Sequence, residues 1–364
     1  MNRIVEILNA AAGPVPVAVA RSTLAGAWRS LFAKIGFYQP IPRSEKELVC
    51  KDAVSFKGDA PLQIEGGRRE QGRLAFRYPR PAFESVQQLI VTPRGGGWQA
   101  GRIYERYSTG CPGLRMLLEP HRPAKVVKTG WIVQSAHHNS YGDWVSEYLC
   151  PIRRALPLPA PLFLPVKLAA RAYVRRDLER LGVQWEAITK PILIEDATVL
   201  RQQKFFVHFT RDDADMLRLL WPPAPAPARP GGIVYLSRRG DASQVAQRSY
   251  PNALIERLVE ARGGKVILTA TAAPSDYAAA AEFGETLVFD HGSAIYNAVG
   301  WPVRRCVEIV SDRWWNNAFL MLADALGIDD ITIIRADLGE AHVESRLAAI
   351  FDMPVGDAAE THAL

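Results

Sequence analysis

The pattern of apolar and polar positions changes once along the chain. Between Glu47 and Tyr107, short alternating runs are interrupted by glycines, as in LVCKDAVSF, GRLAFRY and VQQLIV. Alternation with a period of two, bounded by turn residues, is typical of antiparallel strands. This part of the chain is therefore predicted to form a β-rich N-terminal extension.

After residue 124, apolar runs of strand length alternate with segments of helical period. The predicted elements are a strand at 125–134, a helix at 143–156, a strand at 161–166, a helix at 168–182 and a strand at 183–188. Strands that alternate with helices of this length are typical of βαβ units on a parallel sheet.

A proline-rich segment, WPPAPAPARPGG at 221–232, precedes a second alternation. Proline is excluded from helix interiors and central strands and favours stiff, extended chain, so this segment is predicted to be a linker. The strands predicted after it lie at 232–240, 264–270, 286–290, 306–311 and 330–336. The helices predicted between them lie at 252–261, 276–283, from about 294, and at 314–327.

The 364 residues are enough for two α/β domains with separate cores. The predicted division is an N-terminal domain at 1–220, a linker at 221–232 and a C-terminal domain at 233–364. Both domains are expected to be Rossmann-like and doubly wound, and to face a cleft. Ligands of open parallel sheets bind at the carboxyl ends of the strands, so the chemistry is expected in strand-to-helix turns.

Composition narrows the class of protein. Hydrophobic residues make up 48% and charged residues 23% of the chain, which is ordinary for a globular protein. The 44 Lys and Arg exceed the 38 Asp and Glu, giving a net charge of +6 that favours anionic ligands. The basic residues are scattered, with RRDLER and SRRG the densest runs, so solvated helix faces are expected and no nucleic acid partner.

The expected location is a reducing cytoplasm. The four cysteines are far apart in the sequence, and the start of the chain does not follow the order of a secretory signal. No run approaches the roughly 18 apolar residues of a membrane-spanning helix. Residues 17–36 place Leu24, Trp28 and Leu31 at helical spacing among basic residues, as in a helix that lies on a membrane surface. The alternative is a helix packed on its own domain.

Two strand-to-helix turns carry polar side chains suited to chemistry. HHNSYGDWVSE (137–147) follows one predicted strand, and DHGSAIYN (290–297) follows another. Free backbone N–H groups and the helix dipole at such positions favour an anion such as a diphosphate. Gly292 would allow close approach, Ser293 could cap the helix, and His291 could supply a proton. The alternative is an ordinary helix cap with a hydrogen-bonded histidine.

Several segments resemble a known family when taken together. They are SYGDWVSE (140–147), VYLSRRG (234–240) with Asn252 downstream, HGSAIYN (291–297), VEIV with Glu308, and LADALG. Their order and spacing, over roughly residues 85–335, resemble the family-61 glycosyltransferases. The resemblance implies a two-domain GT-B enzyme that transfers a sugar from a nucleotide-sugar donor with inversion. The resemblance also implies that no bound metal is needed. No other cofactor is expected, because the nucleotide-sugar donor is itself a substrate.

The chain departs from the family pattern at three positions. Asp143 stands where the first motif has histidine, the usual glutamine is lost near Tyr277, and Ala253 replaces the acid that normally follows Asn252. An altered acceptor or base, or an inactive member of the family, is consistent with these changes.

The resemblance implies the following roles. The nucleotide diphosphate and its ribose are expected to contact Arg238, Arg239, His291, Gly292, Ser293, Asn297 and Glu308. Asp143 is the expected general base, with Glu147 on the same helix face and His291 as a further catalytic group, because a helix amino end holds a carboxylate ionised. The acceptor is expected to contact His137, His138, Asn139, Tyr141 and Trp144.

Less specific explanations stand beside these roles. Arg238 and Arg239 are also explained as a surface pair, Asp143 as a helix-capping acid, and Glu308 as a strand acid facing solvent. His137, His138 and Asp143 are zinc-type ligands, although a turn of this kind rarely fixes a metal. Asp213 and Asp215 match a short DxD pattern, but any two acids so spaced in a helix do the same.

The sequence therefore predicts a cytoplasmic inverting glycosyltransferase, peripheral on the inner membrane face, that acts on a polysaccharide or glycolipid acceptor for capsule or lipopolysaccharide synthesis. An alternative is an inactive sugar-nucleotide-binding or scaffold protein in the same assembly. A second alternative is an α/β phosphotransferase that uses the His291 turn, although no P-loop is present.

Overall fold

The computed structural model describes most of the chain after residue 47. The described residues are 48–59, 67–70, 73–79, 82–99, 102–103, 122–134, 141–201, 209–221, 229–241, 250–311, 315, 317–353 and 355. The predicted surface helix at 17–36 and the predicted acceptor residues His137, His138 and Asn139 lie outside them.

The strands, in chain order, are β1 (Leu48–Ser55), β2 (Lys57–Gly58), β3 (Gly67–Glu70), β4 (Arg73–Pro79), β5 (Ala82–Val91), β6 (Gly97–Gln99), β7 (Arg102–Ile103), β8 (Lys125–Gln134), β9 (Leu162–Pro165), β10 (Trp185–Ile188), β11 (Ile192–Arg201), β12 (Ile233–Ser237), β13 (Lys265–Leu268), β14 (Thr286–Asp290), β15 (Arg305–Val310) and β16 (Asp330–Arg335).

The α-helices are α1 (Tyr141–Asp143), α2 (Cys150–Ala155), α3 (Val166–Ala169), α4 (Ala172–Arg180), α5 (Arg211–Leu220), α6 (Asn252–Glu260), α7 (Pro274–Ala280), α8 (Ala318–Ala325) and α9 (Glu340–Asp352). A π-helix, Trp144–Leu149, joins α1 to α2. Within the described ranges, three segments are 3-10 helices: Ala281–Phe283, Ser293–Ala298 and Ala336–Leu338.

The chain divides into two compact units. Unit 1 comprises residues 1–46, 81–138 and 155–202, and unit 2 comprises residues 47–80, 139–154 and 203–364. Unit 2 thus includes residues 139–154 and 203–220, which the sequence-based division assigns to the N-terminal domain. The role of 221–232 as a linker stays a prediction.

Unit 1 is built on a mixed sheet with the strand order β10-β9-β8-β11-β5-β6-β7. Strands β8 to β11 pair in parallel, and β5, β6 and β7 continue the sheet in antiparallel fashion. Its core includes aliphatic side chains from β5, β8, β10 and β11 together with Phe163 of β9.

Unit 2 is built on a parallel sheet with the strand order β13-β12-β14-β15-β16-β2. Every residue of β12, β14 and β15 is buried. Complete burial is typical of parallel strands whose two faces are both covered, and it explains why these segments are mostly apolar in the sequence. The exceptions within β15 are paired, Arg305 with Asp330 and Glu308 with His291. Helices α6 and α9 pack their apolar sides into the same core.

The antiparallel N-terminal strands are divided between the two units. Strands β1, β4 and β3 form a separate three-stranded antiparallel sheet in unit 2, and β2 adds to the edge of the parallel sheet beside β16. Strands β5 to β7 belong to the sheet of unit 1. Local alternation predicted the strands, but it could not specify which sheet each strand would join.

Most of the elements predicted after residue 124 are confirmed. The strand at 286–290 has the predicted bounds, and those at 125–134 and 330–336 differ by at most one residue. The helix predicted at 168–182 is interrupted between α3 and α4. Strand β11 and helix α9 were not predicted; β11 mixes acids with apolar residues, and its pairing with β5 and β8 decides its conformation.

The protein is therefore an α/β protein with one mixed sheet and one parallel sheet, compatible with Rossmann-like units. None of the helices in the described part of the chain has the length and apolar character needed to span a membrane.

Gly130 in β8 is required by close packing. A Cβ atom at this position would lie 2.6 Å from Cε2 of Phe163, whose ring is buried. We expect Gly130→Ala to lower the free energy of unfolding by about 1–3 kcal/mol, the usual cost of overpacking a core. The exposed neighbour provides the control: Thr129→Ala should stay within about 0.5 kcal/mol of wild type in denaturant unfolding. Equal stability of the two variants would contradict the packing.

Candidate functional site

The strand order of unit 2 marks one edge of the parallel sheet as a potential ligand site. The chain passes from β12 to β13 on one side and then returns to β14 on the other side. In sheets of this order, ligands bind where the direction reverses, at the carboxyl ends of the two strands. Here β12 ends at Ser237 and is followed by Arg238, and β14 ends at Asp290 and is followed by His291. We call this place the switch-point edge.

Asp290 is the most deeply buried acid at the switch-point edge. Its side chain is fully buried, and Oδ1 accepts a 2.8 Å hydrogen bond from the Tyr235 hydroxyl. Oδ2 accepts bonds from the backbone N–H of Arg238 at 3.0 Å and from Nδ2 of Asn252 at 2.7 Å. Burial raises the pKa of Asp290 to about 6, although these donors act in the opposite direction.

The side chain of Arg238 donates a hydrogen bond to the turn that follows β14. Its Nη1 donates to the carbonyl oxygen of His291 at 3.1 Å, while Nε and Nη2 both bind Oδ2 of Asp241 at 3.2 and 2.7 Å. The backbone of Arg238 is therefore held by Asp290, and its side chain holds the next residue of the same turn. We call this reciprocal pair of contacts the switch-point clasp.

Gly292 gives the guanidinium of Arg238 its space. Its φ of 166° is extended backbone that any residue adopts, so conformational freedom is not the reason for glycine here. A Cβ atom at this position would lie 2.7 Å from Nη1 of Arg238. The predicted close approach to Gly292 is thus made by a side chain of the protein.

Arg239 is the more exposed cation of the pair. Its side chain is 56% exposed and pairs with the nearly buried Glu256 of α6 at 3.0 Å. Glu256 also accepts a 2.7 Å bond from the Ser237 hydroxyl, which in turn accepts the backbone N–H of Arg239 at 3.2 Å. The loop after β12 is therefore anchored to α6 as well as to β14.

His291 is held inside the unit by an acid. Its side chain is fully buried, Nδ1 contacts Oε1 of Glu308 on β15, and its ring lies edge-on to Phe319 at 4.8 Å. Nε1 of Trp315 donates to the other Glu308 oxygen at 3.4 Å. In this arrangement His291 and Glu308 fix the base of the turn and do not face solvent.

The segment after His291 differs from the α-helix that was predicted. Ser293–Ala298 is a 3-10 helix whose cap residue is Gly292, so Ser293 is not the cap. Nδ2 of Asn297 donates to the carbonyl oxygen of Ala294 at 3.2 Å, and its side chain also bonds the hydroxyl of Tyr277 on α7. A short 3-10 helix offers little of the dipole expected of a long helix, so arginine side chains supply the positive charge at this edge.

The first motif forms a helical run that includes the π-helix. π-helical turns within α-helices are rare and frequently occur at functional sites. Asp143 is half-buried and makes no helix-capping side-chain bond, whereas Glu147 is 9% exposed. Trp144 is fully buried and stacks on Tyr148 at 5.7 Å, so it does not offer a surface to an acceptor.

This helical run packs on the turn that contains His291. Tyr141 meets the buried ring of Tyr296 edge-on at 6.2 Å and accepts a 3.1 Å bond from Nε1 of Trp221. The pKa of Tyr296 is raised well above its usual range, mainly by burial and to a smaller extent by the charges of surrounding groups that include Asp143 and Glu147. Within unit 2, residues 141–147 of the first predicted turn thus pack against the turn at 290–297.

The DxD-like acids have structural partners. Asp213 is buried, forms a capping box with Thr210 at the start of α5 and pairs with Arg154. Asp215 is exposed and pairs with Arg218 at 3.1 Å. Within the described ranges, no group of three or more His, Cys, Asp or Glu side chains could hold a metal ion.

The sequence did not single out Asp290, Tyr235 or Trp315 as site residues. A usable signal was present for Asp290, because a carboxylate that ends an otherwise apolar strand must find donors when it is buried. Tyr235 lies within an apolar run, where a hydroxyl gives no sign of its partner.

Comparisons with known proteins do not identify the chain. No model of a known protein family matches it. A search of curated proteins also gave no match. The resemblance to the family-61 glycosyltransferases therefore rests on the motif residues alone.

The contact between Gly292 and Arg238 can be tested with a double-mutant cycle. Gly292→Ala should cost about 1 kcal/mol of unfolding free energy in wild type, since the added methyl displaces a hydrogen-bonded guanidinium. In an Arg238→Ala background the same change should cost nearly nothing. An equal cost in both backgrounds would show that the methyl group meets something other than Arg238.

Asp290 should make the free energy of unfolding depend on pH between about pH 4 and 6. Because its pKa is about 6 when folded and near 4 when unfolded, the native state binds the proton more tightly, and this group's contribution to stability is lost as pH rises from about 4 to 6. The difference in unfolding free energy between wild type and Asp290→Asn should shrink by roughly 2–3 kcal/mol over that range. A difference that is constant or grows with pH would contradict the burial effect.

Proposed function

We propose that the protein is an inverting glycosyltransferase of the GT-B type that transfers a sugar from a nucleotide-sugar donor to a hydroxyl group. The observation that supports this most is the switch-point clasp, which holds Arg238 at the carboxyl edge of a parallel sheet, with Arg239 next to it in the same loop. The order and spacing of the motif residues support the same proposal.

The donor diphosphate is proposed to bind at Arg238 and Arg239. Oδ2 of Asp241 already accepts two N–H groups of Arg238, which is the way an anionic oxygen binds a guanidinium. A diphosphate oxygen would take the place of this carboxylate, and the second phosphate would be near Arg239. Charge that develops on the leaving diphosphate would be stabilised there, without a metal or other cofactor.

Asp143 is the proposed general base. It is half-buried on a helical run that packs on the His291 turn, and so it retains access to solvent. The acceptor hydroxyl would give its proton to Asp143 while its oxygen forms a bond to the anomeric carbon and the bond to the diphosphate breaks. Glu147 and His291 are proposed to position the turn, because both side chains are buried.

The acceptor proposed here is a polysaccharide or glycolipid, as in capsule or lipopolysaccharide synthesis. A cytoplasmic location at the inner face of the membrane, with contact through residues 17–36, belongs to the same proposal. The acceptor residues His137, His138, Asn139 and Tyr141 would precede the proposed base along the chain.

One observation favours a protein that binds a sugar nucleotide without turning it over. His291 is fully buried and Asp143 replaces the histidine of the family motif, so the site has no exposed imidazole at either place. Such a protein would keep the arginine site and lack transfer activity.

Binding and turnover can be separated with matched variants. Arg238→Ala should weaken binding of nucleoside diphosphates by about 10–100-fold, the value of one or two charge-assisted hydrogen bonds. Arg335→Ala is the control, because Arg335 ends β16 at the same edge and pairs with its own nearby acid, Asp337. Calorimetry across a panel of nucleoside diphosphates and nucleotide sugars provides the measurement.

Asp143→Asn should leave that binding unchanged and abolish sugar transfer. Donor binding without hydrolysis or transfer by wild type would favour the non-catalytic alternative. If no nucleotide bound to wild type, or if Arg238→Ala and Arg335→Ala weakened binding equally, the proposed donor site would be wrong.

A further inference from the structure

We propose that Asp290 is a positioning residue for the anion site: its ionised carboxylate holds the Arg238 loop in the binding geometry, and its protonation weakens the affinity for pyrophosphate. This inference rests on the proposed function, since it concerns the same arginine site. None of the roles considered from the sequence involves Asp290.

The carboxylate joins three elements that meet at the switch-point edge. It accepts the Tyr235 hydroxyl from β12, the Arg238 backbone N–H from the following loop, and the Asn252 amide from the first residue of α6. Nδ2 of Asn252 also donates to the Tyr235 oxygen at 2.7 Å, which closes the network. Because Asp290 ends β14, it fixes this loop relative to the turn containing His291 and Gly292.

The position of the Arg238 backbone determines the position of its guanidinium. The loop is short and tight, with the N–H of Asp241 donating to the carbonyl oxygen of Arg238 at 3.0 Å. The guanidinium is bound at both ends of its fork, to Asp241 and to the His291 carbonyl, and lies over Gly292. Loss of the backbone bond at Arg238 would therefore move the cation away from the site.

Only the ionised form of Asp290 can accept the hydrogen bonds from Tyr235, Arg238 and Asn252 at the same time. Two oxygens accept three donors, and a proton on Oδ2 would oppose the Arg238 N–H. A proton on Oδ1 would point at the Tyr235 oxygen, which already accepts from Asn252, and would leave the tyrosine proton without its acceptor. Protonation thus costs at least one bond of the network.

The groups around Asp290 set the pH range of this effect. Tyr235 and the cation of Arg238 face it from β12 and its loop, and the neutral Asn252 faces it from α6. Glu308 of β15 is in register with Phe289, so its side chain lies on the other face of the sheet, where His291 binds it. Full burial outweighs these donors and places the change near pH 6, within the range where proteins are ordinarily studied.

The first experiment measures pyrophosphate affinity by calorimetry between pH 5 and 8. In wild type about one Asp290 side chain in eleven is ionised at pH 5, whereas nearly all are ionised at pH 8. The affinity for pyrophosphate should therefore be about tenfold lower at pH 5 than at pH 8, in addition to the change caused by titration of pyrophosphate itself. Asp290→Asn should bind weakly and show only the titration of the ligand. Asp330→Asn is the control, since Asp330 is a nearly buried acid at the opposite end of the same sheet, paired with Arg305.

Tyr235→Phe distinguishes the proposed role of Asp290 from a merely structural one, because only the proposed role predicts a shifted pH dependence of binding. It keeps the carboxylate and removes one donor that favours the ionised form, so the midpoint of the pH dependence should move to higher pH. Wild-type pH dependence in both Asp290→Asn and Tyr235→Phe would overturn the inference.

Amide hydrogen exchange separates this inference from the proposed function, because it requires no ligand. After correction for intrinsic rates, the amides of residues 238–241 should exchange faster in Asp290→Asn than in wild type. In wild type they should exchange faster at pH 5 than at pH 7. In Asp330→Asn they should exchange at the wild-type rate. Unchanged exchange with normal pyrophosphate binding would overturn the inference alone. Faster exchange without pyrophosphate binding at any pH would overturn the proposed donor site and the affinity claim together.

Discussion

A carboxylate that is removed from water must be compensated by donors, and at Asp290 this requirement organises the switch-point edge. The donors come from β12, from the loop after it and from α6, so satisfying one side chain places three elements. The return bond from Arg238 to the His291 carbonyl joins the two turns in the other direction. The arginine is thereby held in place before any ligand arrives, which reduces the entropy that binding would cost.

The described part of the first turn, residues 141–147, lies in the same compact unit as the turn at 290–297. The helical run that carries Asp143 packs on the 3-10 helix after His291 through Tyr141 and Tyr296. The described residues of both motifs are therefore held by one core, whereas the sequence-based division assigns them to different domains. The buried pair of His291 and Glu308 acts as a support for the turn.

Positive charge at this edge comes from side chains that already have acidic partners. Arg238 pairs with Asp241, and Arg239 pairs with Glu256. Under the proposed function, an incoming anion would have to replace a carboxylate. Selectivity would then depend on bidentate geometry and on total charge, both of which favour a diphosphate over a single carboxylate. The pairing with Asp241 also compensates the charge of the largely buried Arg238 guanidinium.

The sequence by itself determined the local elements and the residue types at the strand ends. Short apolar runs such as 286–290, alternating with helical segments, predict buried strands in a parallel sheet, and the polar residues that follow them mark its carboxyl edge. Tertiary structure decided which strands share a sheet, that β11 is a strand at all, and that Trp144 and His291 are buried. It also decided that Gly292 faces an arginine and that Asp290 joins β12 to β14. These properties depend on partners far apart in sequence, and neither propensity nor periodicity carries information about such partners.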